Sequence, residues 1–143
     1  MYKDLLTVVL LIIYLLIASY YDIKERRIPN KLNLFFLIIR LILIPLIGIE
    51  KENFLGAIMM FLVFFIPSFI TLHKMAGDIK MAFVIGLYLS VKPSIMIIGV
   101  SLLLSLGYIA VHFITKREVV NSMPYAPFFS ISFVALWCIS RII

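Results

Sequence analysis

The 143-residue chain is 64% hydrophobic and only 14% charged, with a mean hydropathy of +1.18. Soluble domains are roughly half apolar and about one quarter charged, so this composition excludes an ordinary soluble enzyme and describes an integral membrane protein. Thirteen Lys and Arg against seven Asp and Glu leave a net charge of +6, but the bases sit in short clusters between apolar runs; they read as topology signals and lipid-headgroup contacts, with no nucleic-acid partner, because no continuous basic face exists.

A transmembrane helix needs about 20 largely apolar residues. Runs that approach this length cover residues 5–21, 32–49, 54–72, 79–91, 94–114 and 125–142, which predicts an all-α bundle of about six membrane helices in a single domain over 1–143. The first run lacks a small-x-small cleavage site and has its positive flank on the far side, so it reads as a permanent helix. The second contains Arg40 and Pro45, which predict a cation turned toward the bundle interior and a kink. The fourth is the shortest, about 13 residues, and is expected to be tilted, buried in protein, or lengthened by the segment holding Asp78.

The connections are short and polar. The first, third and fifth carry Lys24, Arg26, Arg27, Lys31, Lys74, Lys80, Lys116 and Arg117, against Lys3, Lys51, Lys92 and Arg141 on the other side. Excess Lys and Arg mark the cytoplasmic side, which predicts cytoplasmic odd-numbered loops and both termini outside, in a multi-pass protein of the cell membrane. Gly56 and Ala57 in the third run, and Gly99, Ser101, Ser105 and Gly107 in the fifth, are small residues suited to close helix contact. Cys138 stands alone and cannot form an internal disulfide or a paired-cysteine zinc site. His73 and His112 have no metal-ligand spacing and read as packing or interfacial residues, so no metal and no cofactor is expected.

Asp22 follows the first run and Asp78 precedes the fourth. The two runs between them take the chain across the membrane and back, so both carboxylates return to one depth on one face. An acid at the centre of a membrane helix costs roughly 2.5–3.5 kcal/mol, less toward the interface, and marks function by default. Two acids at matched depth in a low-dielectric site share a proton; such a pair takes a proton from water while donating one to a carbonyl. The spacing alone also leaves open a proton or cation path, as in a small proton-coupled transporter, and a structural or topological role. Asp4, Glu25, Glu50, Glu52 and Glu118 sit in terminal or loop sequence and read as solvated charges.

Three segments add a resemblance. "YYDIKERRIPN" (Tyr20 to Asn30) resembles the first catalytic segment of the type IV prepilin peptidases, "AGDIK" (Ala76 to Lys80) resembles the Gly-x-Gly-Asp-x-Lys signature of the GxGD aspartyl proteases, and "MPYAPFF" (Met123 to Phe129) resembles the opening of that family's last helix. The three fall in order over nearly the whole chain. The resemblance implies a membrane aspartyl endopeptidase with catalytic Asp22 and Asp78, which removes short basic leaders from prepilin-like proteins with an apolar N-terminal helix at the cytoplasmic face. Met75 replaces the first signature glycine. Larger bacterial members add a tetracysteine zinc region linked to N-methylation; with one cysteine, the chain resembles a peptidase-only member, like those serving tight-adherence pili or archaeal prepilins and preflagellins.

Supporting roles follow. Gly77 allows close approach to Asp78 and a positive φ. Asn30, after Pro29, caps the second helix or contacts substrate backbone. Lys80, two residues beyond Asp78, points away from it and reaches headgroups or a substrate acid. Tyr20 and Tyr21 are belt aromatics or donors to the acids. A place for Asp78 in the first turn of its helix favours its charged form, which would make it the proton acceptor and Asp22 the protonated partner.

Overall fold

The computed structural model describes residues 2–71, 76–116 and 123–142; His73, Lys74, Met75, Arg117 and Glu118 lie outside the described residues. Among those described, the chain forms seven helices and no strand: α1 (Tyr2–Glu25), α2 (Asn30–Ile42), α3 (Ile44–Ile47), α4 (Lys51–Thr71), α5 (Ala76–Tyr88), α6 (Val91–Lys116) and α7 (Ala126–Ile142). Three stretches are long and apolar enough to cross a membrane, Leu5–Glu25, Lys51–Ile70 and Val91–Lys116, while Ala126–Ser140 is apolar but shorter.

The second run is broken rather than kinked. Helix α2 stops at Ile42, and Pro45 sits in the opening turn of α3, where its missing N–H costs nothing. Helix α3 ends after one turn at Gly48, whose φ of 80° only glycine adopts readily. Arg40 does face the interior: it is 3% exposed, its Nε donates to Leu87 O at 3.2 Å, and its guanidinium lies 5.5 Å from the Tyr88 ring centre.

Helix α5 is the centre of the bundle. Beyond Lys80 it is apolar on every side, as a helix enclosed by protein should be, and Met81, Ala82 and Val84 through Tyr88 are all buried. Helix α4 packs on it through glycine: a Cβ on Gly86 would stand 2.5 Å from Gly56 O and 2.6 Å from Ala57 Cα. The expected small-residue contact at Gly56 and Ala57 is therefore present, with Gly86 as its partner. Gly99 and Gly107 do not join a helix contact; a Cβ on either meets open space, whereas Ser101 and Ser105 are buried.

Around α5 five helices form a ring in the order α2, α1, α7, α6, α4, each touching the next, with α3 resting on α1 and α2, and the ring is open between α4 and α2. The core joins Leu11, Tyr14 and Leu15 of α1 to Met81 and Ile85 of α5 and to Phe129 and Phe133 of α7. The outer faces carry exposed Leu, Ile and Phe such as Leu103, Ile70 and Ile114. So broad an apolar surface suits hydrocarbon and would aggregate in water.

Candidate active site

The first site residue, Asp22, lies inside the last turns of α1 rather than after it, and is 5% exposed. Beyond Glu25 the helix ends on Arg26, which adopts a left-handed φ of 51° while its N–H still bonds Asp22 O. That left-handed ending is a common way to close a helix. It turns the chain through Ile28 and Pro29 into α2.

Asp78 sits in the first turn of α5. Asp22 and Asp78 line the same cleft, of about 800 Å³, at the end of the bundle where α1 and α4 finish and α2 and α5 begin. Arg26, Arg27, Pro29, Asn30 and Gly77 complete the wall on the α1–α2 and α5 sides, and Phe65, Ser68 and Phe69 on α4 face them. The run out through α2 and α3 and back along α4 thus brings two remote acids to one end of the fold.

The other site residues differ in detail from expectation. Asn30 is not a cap: Pro29 occupies the cap position, no side chain bonds the free N–H groups there, and Pro29 O accepts from Leu32 and Asn33 N–H. The Asn30 amide oxygen instead accepts from Lys80 Nζ at 2.9 Å, joining α2 to α5. Gly77 has no positive φ, and a Cβ there would meet Ile28 at 3.4 Å, an ordinary contact. The positive φ expected of this glycine is therefore absent. The Tyr20 hydroxyl accepts from Lys24 Nζ at 3.2 Å, and Tyr21 packs edge-on against Tyr20, so neither is engaged with the acids.

Three groups went unread in the sequence. The N–H of Ala126, first residue of α7, donates to Asp22 Oδ2 at 2.9 Å, which sets the positive end of that helix against the carboxylate. Asn33, 4% exposed, accepts from Tyr14 OH at 2.8 Å and donates to Gly77 O at 3.3 Å, fastening the turn before Asp78 to both α1 and α2. A polar residue inside an apolar run was the available signal for Asn33 and Tyr14. The Ala126 N–H had none, because every residue but proline owns one.

Residues 9–139 match the type IV leader peptidase family. The chain belongs to that family. Membership makes it a peptidase of the leader-removing kind and agrees with the resemblance carried by the three motifs. Comparison with curated proteins and with solved structures gave no match.

Proposed function

We propose that this family member is a membrane-embedded aspartyl endopeptidase that cuts the short basic leader from prepilin-like proteins at the cytoplasmic face of the cell membrane. The observation that carries the reading is the shared cleft of Asp22 and Asp78 in a chain of the leader peptidase family. Family membership favours this over the transporter alternative. The six-crossing layout, with termini outside and the acid cleft cytoplasmic, is part of the proposal and rests on the excess of Lys and Arg in the odd-numbered connections.

In the proposed reaction, one carboxylate removes a proton from water as its oxygen attacks the scissile carbonyl carbon, while the protonated partner gives its proton to the carbonyl oxygen. The tetrahedral diol then collapses, a proton passes to the leaving nitrogen, and the C–N bond breaks. We assign the charged form to Asp22. Asp78 gains the end effect of α5, about 0.3–1 kcal/mol, whereas a direct hydrogen bond to a charged group is worth about 1.5–3 kcal/mol, and Asp22 has that bond from Ala126 N–H. This reverses the assignment drawn from the position of Asp78 alone. Gly77 and Asn30 line the approach to the acids, and Lys80 holds Asn30.

The test is cleavage of a prepilin-type polypeptide in membranes by the wild type, Asp22→Asn and Asp78→Asn. Each change is nearly isosteric and removes one ionisable group. Either alone should abolish cutting; turnover retained in one of them would exclude a shared-proton mechanism.

A further inference from the structure

The gap in the helix ring between α4 and α2 is occupied by an apolar groove of about 560 Å³. Leu34 and Leu37 of α2 form one wall, Ile58 and Phe61 of α4 the other, and Phe83 and Val84 of α5 the floor. Polar groups stand at one end only, where Asn30, Asn33 and Lys80 meet. Asn30 lines both this groove and the acid cleft, so the two adjoin there. We propose that the groove receives the apolar helix of the protein being cut, entering sideways from the lipid with its leader end at Asn30 and Lys80.

The proposal rests on the peptidase reading and extends it to the path of the substrate. A lipid would fill the apolar length and set its headgroup at Lys80, but has no use for the adjoining acid cleft. A substrate helix uses both: its first N–H groups lack partners inside the helix, and in hydrocarbon each must find an acceptor. The Asn30 amide oxygen offers one, and the Lys80 ammonium faces the carbonyls of the residues that leave the helix. A helix that starts there runs along Leu34, Leu37, Ile58 and Phe61, and its preceding residues pass extended into the cleft of Asp22 and Asp78. Extended backbone is the form a nucleophile can reach, since helical hydrogen bonds no longer cover the amide.

Disulfide cross-linking in membranes tests this without cleavage. The chain carries Asp22→Asn to prevent turnover and Cys138→Ser to remove the exposed native thiol. The probe is a polypeptide with a short basic leader, a glycine junction and an apolar helix of about 20 residues. Leu34→Cys, exposed one turn from Asn30, should cross-link to a cysteine in the first turn of the probe helix, and Ile58→Cys, exposed at the level of Gly86, to one roughly two turns deeper. Leu37→Cys should prefer a probe cysteine one turn deeper, and Leu103→Cys, 71% exposed on α6 away from the groove, should not react. Equal cross-linking at position 103, or groove cysteines whose labelling by a membrane-permeant maleimide ignores the probe, would overturn the docking path in favour of lipid. In the active chain, Ile58→Trp should raise KM about tenfold with kcat little changed, the pattern of lost uniform binding; an unchanged KM would also overturn it. A probe that cross-links in the groove yet is never cut would leave the docking path standing and overturn the peptidase reading instead.

Discussion

Replacing Gly86 by Ala tests the packing that holds Asp78 in place. The added methyl would stand 2.5 Å from Gly56 O, 2.6 Å from Ala57 Cα and 2.7 Å from Ala57 N, all backbone atoms that cannot rotate away. An ordinary contact needs about 3.4 Å or more, so α4 and α5 must part by roughly 1 Å along their main seam. Overpacking of this kind costs typically 1–3 kcal/mol, sometimes more, and the gain in helix propensity from Gly to Ala returns up to about 1 kcal/mol. A net loss on the order of 2 kcal/mol lowers the melting midpoint of a chain this long by about 4–8 °C. The matched control is Gly99→Ala, the same chemical change where a Cβ meets open space; it should leave the midpoint unchanged or raise it. Thermal unfolding of both variants in detergent, followed by circular dichroism, reads the difference. A Gly86→Ala midpoint equal to that of Gly99→Ala would refute the close crossing of α4 and α5.

Three further outcomes follow from the site. Tyr14→Phe removes the hydroxyl that bonds Asn33 Oδ1 in the core and leaves a buried acceptor unpaired, so stability should fall by about 1–3 kcal/mol in the same melting assay. Gly77→Ala should fold normally, because its methyl meets Ile28 at contact distance, yet cut a prepilin-type substrate more slowly, because the methyl narrows the approach to Asp78; equal losses in stability and turnover would remove the access argument. Cleavage should be unaffected by a chelator, since two carboxylates suffice for the chemistry, and loss of activity on metal removal would contradict the dyad.

The sequence carried the helices and the meeting of the acids further than it carried the contacts around them. Apolar run length located every long helix, and the out-and-back logic of residues 32–72 sufficed to bring Asp22 and Asp78 to one end of the bundle. Arg40 was legible because a cation in an apolar run has only the protein interior to turn to. The break at Leu43 was less so: Pro45 reads as a kink within a continuous helix, but with Gly48 three residues on it starts and ends a separate turn. Burial of α5 and its glycine seam depend on which helices surround it, a tertiary fact that no local pattern encodes. The Asp22 partner was least legible of all, being a backbone N–H from a helix more than a hundred residues away.

The length of α5 links these features to the proposed chemistry. Thirteen residues rise only about 20 Å, against a hydrocarbon core of about 30 Å, so a helix of this size cannot present both ends to the two membrane surfaces. One end is fastened deep in protein: Arg40 Nε donates to Leu87 O, and Tyr88 OH donates to Phe36 O at 2.9 Å, both joining the close of α5 to α2. The other end, with Asp78, opens into the cleft. A carboxylate at that end can stay within the thickness of the membrane and still meet water, because ionisable side chains are accommodated at such depth where they face a water-filled cavity. A full-length helix would carry the acid out to the surface, where its partner on α1 and an apolar substrate helix could not both reach it. On the proposed function, the short central helix would set the depth at which a peptide bond beside an apolar segment meets the two acids.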